Sequence, residues 1–81
     1  KRKMQKQEIL TYLEELIKKI SGTDEYASDM DLSDDLGLSS IDIMSVLVAC
    51  EKKFSVKISA KGLRSVATPE DFAELIESKL Q

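Results

Sequence analysis

The sequence predicts an all-α fold, a small four-helix bundle in which three longer helices and one short helix share a single core. Apolar residues recur at helical spacing in three separate stretches, near residues 9–20, 39–54 and 69–80. Only one stretch, of three residues, alternates as a strand does. A chain of 81 residues with 42% apolar content is expected to form one domain, with Lys1 to Lys3 as a tail or a remnant of cloning ahead of Met4.

The first helix is predicted from an apolar face that ends at a glycine. The apolar positions recur every three or four residues and are Ile9, Leu10, Leu13, Leu16, Ile17 and Ile20. Glu14 and Lys18 stand between them in the favourable i, i+4 order. Ser21 and Gly22 then supply a stop signal, so the helix is expected to end there.

A long loop, Thr23 to Gly37, is predicted between the first and second helices. Its fifteen residues show no periodicity, and loops of this length are usually functional or packed on themselves. Met30, Leu32, Leu36 and Tyr26 are the side chains expected to hold it against the core.

The second helix is predicted from Ser39 or Ser40 to about Phe54, and it carries two apolar rows. The first row is expected to face the core and consists of Ile43, Val46, Leu47, Cys50 and Phe54. The second row, Ile41, Met44 and Val48, lies on a different face. Two interpretations stay open for it: the row awaits a partner, or the long loop or last helix covers it.

The chain after Phe54 is predicted to hold an extended segment, one short helix and a final helix. Val56 to Ile58 is too short for a strand and has no evident pairing partner. Ser59 to Arg64 suits a single helical turn. Thr68 fits the N-cap of the last helix and Pro69 its first position. The predicted core of the bundle is Ile9, Leu13, Leu16, Val46, Leu47, Cys50, Phe54, Phe72, Leu75 and Ile76.

The run DLGLSSID, Asp35 to Asp42, ends the loop and opens the second helix. It places the Ser40 hydroxyl at a helix start, where unpaired N–H groups and partial positive charge favour a phosphate. Ser39 and Asp42 have the spacing of a capping box, which would present Ser40 in the first turn. A simpler interpretation makes Ser40 part of the cap itself.

DLGLSSID followed by IMSVLVACEKKF resembles the attachment motif and second helix of acyl carrier proteins. That family shows an acid, an apolar residue, Gly, two variable positions, the modified Ser, an apolar residue and often Asp. Aligned on this pattern, the modified residue is Ser40 and not Ser39. The likeness continues through Val56 to Ile58 into the TPEDF start of the last helix, and it covers most of the chain.

The resemblance implies that a phosphopantetheinyl transferase moves 4'-phosphopantetheine from coenzyme A onto Ser40. Acyl cargo then travels as a thioester on the arm to an acyl-loading enzyme, ketosynthase or acyltransferase of fatty-acid, polyketide or related biosynthesis. In family members the acyl chain can fold back into the bundle. The residues assigned to partner recognition surround the start of the second helix and are Asp35, Leu38, Ile41, Asp42, Met44, Ser45 and Val48.

The second helix departs from the strongly acidic helix of bacterial fatty-acid carriers. Ser45 stands where an acid is common, and Lys52 and Lys53 follow Glu51. This makes a specialised pathway as plausible as housekeeping fatty-acid synthesis. The GGxS-type sequence of peptidyl carriers is absent, which favours an acyl cargo, with an aminoacyl or peptidyl carrier as the alternative.

Charge along the chain is uneven although the net charge is only −3. Residues 20–51 contain eight acids and no Lys or Arg. Such a field attracts basic partner surfaces and repels nucleic acid, although solubility alone accounts for it equally well. The sequence shows neither an apolar run of the roughly 20 residues that span a bilayer nor a signal peptide. We therefore expect a cytoplasmic monomer that binds no nucleic acid.

Three other classes of protein fit less well. A calcium loop starting at Asp29 needs Gly at its sixth position and Glu at its twelfth, where Asp34 and Ser40 stand, so no metal site is expected. An enzyme is not expected either, because the chain has no His and its one cysteine, Cys50, falls on the core row. The remaining rival is an unmodified helical adaptor that binds partners through the second apolar row.

Overall fold

The computed structural model describes residues 6–80, and these form four helices and no strand. The helices are α1 (Lys6–Ser21), α2 (Ser40–Phe54), α3 (Ala60–Leu63) and α4 (Pro69–Leu80). The predicted all-α bundle with one short helix and a long first loop is confirmed. None of these four helices combines the length and apolarity required to cross a membrane. The expectation for Lys1 to Lys3 lies outside the described residues.

Helix α1 ends at the predicted stop. Gly22 adopts a left-handed conformation with φ 73°, and its N–H donates to the Lys18 carbonyl at 2.8 Å. Glycine adopts this conformation without a steric penalty, which is why it commonly follows a helix. One turn earlier, Lys18 pairs with Glu14 at 3.0 Å, as their spacing predicts.

Helix α2 ends at Ser55, whose left-handed backbone (φ 56°) turns the chain toward α3. Glu51 secures this turn twice. Its carbonyl accepts from the Ser55 N–H, and its side-chain Oε2 accepts from the Ile58 N–H at 2.9 Å. The Glu51 carboxylate thus satisfies the backbone donor of Ile58, and Val56 to Ile58 form neither a helix nor a strand.

Helix α4 begins with a reciprocal cap. The Asp71 N–H donates to Thr68 Oγ1 at 3.1 Å, and the Thr68 N–H donates to Asp71 Oδ2 at 3.3 Å. The first turn of α4 also contacts the long loop, since the Glu70 N–H donates to the Ser28 carbonyl at 3.0 Å. The start of α4 therefore holds the long loop in place as well as its own first turn.

The core lies where α1 packs on both α2 and α4. The long loop and the segment before α3 complete it. Its buried apolar residues are Ile9, Leu13, Ile17, Leu32, Leu36, Leu38, Val46, Leu47, Cys50, Phe54, Ile58, Phe72, Ala73 and Ile76. Leu16 and Leu75, both predicted as core residues, are only partly buried and pack against its edge. Tyr12 packs edge-to-face on Phe54, with ring centroids 5.4 Å apart, and joins α1 to the end of α2.

The long loop is held down by the four predicted side chains. Leu32 and Leu36 are buried, while Met30 and Tyr26 pack against the core from its edge. The Tyr26 hydroxyl is buried and has no hydrogen-bond partner among residues 6–80. Burial, helped by the nearby Glu14 carboxylate, raises the pKa of Tyr26 to about 12.

Tyr26→Phe is expected to be at least as stable as the wild type near neutral pH, because it removes a buried polar group without breaking a hydrogen bond. The folded-state pKa lies above the ordinary value of 10.0. The stability that Tyr26 contributes is therefore complete below about pH 10 and is lost as the pH rises toward 12. Urea unfolding from pH 8 upward should show a shallower alkaline decline in the variant. A clear loss of stability at pH 8 would mean that the hydroxyl has a partner.

Candidate functional site

The loop segment that leads into α2 is fixed by its own aspartates. Asp31 Oδ1 accepts from the Ser33 and Asp34 N–H groups at 2.9 and 2.8 Å, and Asp35 Oδ2 accepts from the Asp31 N–H at 2.8 Å. These carboxylates act as turn-forming acceptors. No group of side chains suited to a metal ion occurs among the described residues. The hydrogen bonds of Asp31 and Asp35 therefore shape the approach to α2.

Gly37 turns the chain immediately before α2. It adopts φ 73°, and its N–H donates to the Ser33 carbonyl at 3.1 Å. A Cβ placed at Gly37 would meet nothing within 4 Å. The requirement for glycine at this position therefore comes from the left-handed backbone.

Ser39 is the N-cap of α2, and the predicted capping box is present. The Asp42 N–H donates to Ser39 Oγ at 3.1 Å, and the Ser39 N–H donates to Asp42 Oδ2 at 3.0 Å. The interpretation in which Ser40 is merely the cap is wrong, because Ser39 performs that role. The capping box instead fixes the position of Ser40 as the first helical residue.

Ser40 is exposed at the N-terminus of α2. Within residues 6–80 its hydroxyl forms no hydrogen bond, and the backbone N–H groups of Ser40 and Ile41 have no acceptor. These two N–H groups belong to the positive end of the helix dipole. An accessible hydroxyl beside unpaired donors fits a phosphate ester carried on Ser40.

A groove between α2 and α3 opens beside Ser40. Its volume is about 330 Å³, and most of its lining is apolar. The lining residues are Ser40, Ile43, Met44, Ala60, Leu63, Arg64 and Val66. We call this the α2–α3 groove. It gives a chain attached at Ser40 an apolar surface on which to lie.

The second apolar row of α2 lies on the surface. Ile41 is 78% exposed, Met44 48% and Val48 45%, so neither the long loop nor α4 covers them. This answers the question that the sequence left open. With Ser45, Ala49 and Lys52 these residues line a shallow depression, which we call the α2 face. Met44 borders both the α2 face and the α2–α3 groove.

The residues assigned to partner recognition separate into two groups. Leu38 is only 3% exposed, and its N–H donates to the Leu32 carbonyl at 2.9 Å. The assignment of Leu38 to partner contacts is wrong because its side chain anchors the loop in the core. Asp35 and Asp42 each have a structural hydrogen bond in addition to any contact with a partner. The residues that remain open to a partner are Ile41, Met44, Ser45 and Val48.

Cys50 has no role at this site. Its side chain is fully buried, and burial raises the pKa of its thiol to about 12. A thiol in this state is a poor nucleophile. The sequence interpretation missed Ala60, Leu63, Arg64 and Val66 as neighbours of Ser40, and the apolar pair Leu63 and Val66 was the available signal for this lining.

Comparison with known proteins identifies the family. The family model described as the phosphopantetheine attachment site matches residues 8–76. An acyl carrier protein of Micrococcus luteus is 34% identical over 74 residues, which cover 89% of this chain and 91% of that protein. An acyl carrier protein of Kineococcus radiotolerans is 36% identical, and the match covers 80% of this chain and 83% of that protein. An acyl carrier protein of Myxococcus xanthus is 34% identical, and the match covers 88% of this chain and 92% of that protein. A covalently attached 4'-phosphopantetheine is the cofactor of such proteins. The chain therefore belongs to the acyl carrier protein family.

Proposed function

We propose that Ser40 bears the phosphopantetheine arm and that the chain delivers acyl groups, as thioesters, to enzymes of fatty-acid, polyketide or related biosynthesis. The observation that carries this proposal is that two adjacent serines, Ser39 and Ser40, have different structural roles. The Ser39 side chain caps the helix, whereas Ser40 is exposed and its hydroxyl makes no hydrogen bond within the described residues. When bound, the arm supplies a terminal thiol for the thioester.

The lining of the α2–α3 groove supports an acyl cargo. Ile43, Met44, Leu63 and Val66 present apolar surface beside the attachment point. A hydrocarbon chain gains from leaving water for such a surface. An aminoacyl or peptidyl cargo carries a polar amine, for which these four apolar side chains offer no hydrogen bond, so it is the less favoured alternative.

The α2 face keeps a specialised pathway as plausible as housekeeping fatty-acid synthesis. It combines three exposed apolar residues with Ser45 and Lys52 instead of a row of acids. A partner suited to it presents an apolar patch. We further propose that the chain acts as a monomeric, non-catalytic carrier in the cytoplasm, a compartment that suits its one unpaired cysteine.

Loading in vitro tests the proposed function. The protein is incubated with coenzyme A and a promiscuous phosphopantetheinyl transferase, and its intact mass is measured before and after. We expect a gain of one phosphopantetheine, which fragmentation of the proteolytic peptide should place on Ser40 and not on Ser39. If folded, initially unmodified protein gains no mass, the proposal fails and the adaptor interpretation replaces it.

Val48→Asp is expected to weaken docking of partner enzymes without affecting the fold. The substitution places a charge in the α2 face, two turns from Ser40, at a position that is 45% exposed. We expect kcat/KM for loading by the transferase to fall about tenfold, equal to about 1.4 kcal/mol. Thr11→Asp, on the exposed side of α1, is the matched control and should load normally. Equal rates for the two variants would exclude the α2 face as the docking surface.

A further inference from the structure

The α2–α3 groove contains one cationic residue. Among the described residues that line it, only Ser40 and Arg64 are polar. Arg64 is the C-cap of α3, where its backbone N–H donates to the Ala60 carbonyl at 3.2 Å. The groove therefore has Arg64 and Ser40, the proposed attachment residue, in one lining, although the two residues are far apart in sequence.

The Arg64 side chain has no acidic partner among the residues that the structure describes. It is exposed and forms no ion pair with any of residues 6–80, whereas Lys6 pairs with Glu74 at 3.1 Å and Lys18 with Glu14 at 3.0 Å. The surrounding sequence offers no acid either. Residues 52–69 contain five cations and no Asp or Glu: Lys52, Lys53, Lys57, Lys61 and Arg64. Within the described residues, the positive charge of Arg64 is therefore not neutralised by an ion pair.

We propose that Arg64 binds an anionic oxygen of the group loaded on Ser40. This inference rests on the proposed attachment at Ser40. Loading converts a neutral hydroxyl into a phosphodiester with one negative charge, at an atom that borders the same groove as Arg64. A planar guanidinium can hold two oxygens of a phosphate or a carboxylate at once, and it stays charged at any physiological pH.

Two parts of the loaded group could supply the anion. One is the phosphodiester, which is present whenever the arm is attached. The other is a carboxylate at the far end of the cargo, as in a dicarboxylic acid held as a half-thioester. In the second case Arg64 would select the cargo, because an otherwise apolar groove would hold the carboxylate through this residue alone.

The chain offers a matched control for Arg64. Lys61 lies in α3, the helix that Arg64 caps, and is also exposed, but it is not among the residues that line the groove. Arg64→Gln and Lys61→Gln each remove one positive charge, in or next to α3. General electrostatic effects should be common to the two variants, while a direct contact with the loaded group belongs to Arg64 only. Arg64→Lys keeps the charge and removes the bidentate geometry.

The experiment compares wild type, Arg64→Gln, Arg64→Lys and Lys61→Gln in four states. These are the unmodified protein and the forms loaded from coenzyme A, butyryl-coenzyme A and succinyl-coenzyme A, with loading confirmed by intact mass. The readouts are the phosphorus resonance of the phosphodiester and the urea midpoint of unfolding. Each is measured at low salt and at about 1 M salt, where the Debye length is about 3 Å.

If Arg64 binds the phosphodiester, Arg64→Gln shifts the phosphorus resonance in every loaded form and lowers the urea midpoint, and Lys61→Gln does neither. High salt then moves the phosphorus resonance and the urea midpoint of the loaded wild type toward the values of Arg64→Gln. If Arg64 binds a cargo carboxylate, Arg64→Gln leaves the phosphorus resonance unchanged. The urea midpoint of the wild type is then higher in the succinyl form than in the butyryl form, and Arg64→Gln shows no such difference. In both cases Arg64→Lys retains part of the effect.

Normal loading with the same response from Arg64→Gln and Lys61→Gln overturns the role of Arg64 and leaves the proposed function intact. Absence of loading appears earlier, in the mass spectrum, and overturns both proposals because no anion is then attached. The two failures are therefore distinguishable.

Discussion

Ser40→Ala is expected to lose all phosphopantetheine loading and to remain folded with a stability close to that of the wild type. The hydroxyl is exposed and has no hydrogen bond within the described residues, so its removal breaks no contact of the fold. Alanine is also a favourable helix residue. We expect a change of no more than about 0.5 kcal/mol in the free energy of unfolding. Intact mass and urea unfolding measure the two effects separately.

Ser39→Ala gives the opposite pattern and is the control for Ser40→Ala. It removes the side chain that accepts from the Asp42 N–H, and losing such an N-cap costs about 1 kcal/mol. Ser40 remains, so loading at saturating transferase should still reach one phosphopantetheine per chain. Loading of Ser40→Ala together with failure of Ser39→Ala would assign the attachment to Ser39 and contradict the proposed site.

Phe72→Ala is expected to destabilise the domain by about 3–5 kcal/mol, the usual cost of removing a fully buried aromatic ring. Phe72 is 0% exposed at the centre of the core, in the helix that packs on α1. Domains have a total stability of about 5–15 kcal/mol, so the variant should be partly unfolded at a moderate temperature. Circular dichroism during urea titration measures the loss.

Ile41→Ala is the matched control for Phe72→Ala, because it truncates a large apolar residue that is 78% exposed. We expect its free energy of unfolding to stay within about 0.5 kcal/mol of the wild type. A loss below about 1 kcal/mol for Phe72→Ala would contradict the position of α4 in the core. A large loss for Ile41→Ala would instead show that the α2 face is covered in solution.

The helix ends were predictable because their hydrogen bonds join residues close in sequence. Ser39 and Asp42 cap each other across three positions, and Thr68 and Asp71 do the same at α4. Gly22 ends α1 through its own backbone conformation. In each case the residues that make the contact stand together in the sequence, so their types and spacing are sufficient evidence.

Burial of individual apolar residues was predicted less completely. Leu38 stands between Gly37 and Ser39 in a motif that suggested contact with partners, yet the loop folds it into the core. Leu16 follows the helical pattern of α1 but lies at the edge of the core. The pattern shows which face of a helix is apolar, but how far a neighbouring segment covers that face depends on tertiary packing.

The sequence alone determined the all-α class, the capping box of Ser39 and Asp42, the Thr68 cap, the long loop and an eight-residue motif that singles out Ser40. These features are local, because each rests on backbone chemistry or spacing within a few residues. Only the tertiary structure decided that Ile41, Met44 and Val48 stay exposed and that Arg64 shares a groove with Ser40. Those facts depend on how α2, α3 and the loops pack, and the packing energy is set by contacts between segments that are distant in the chain.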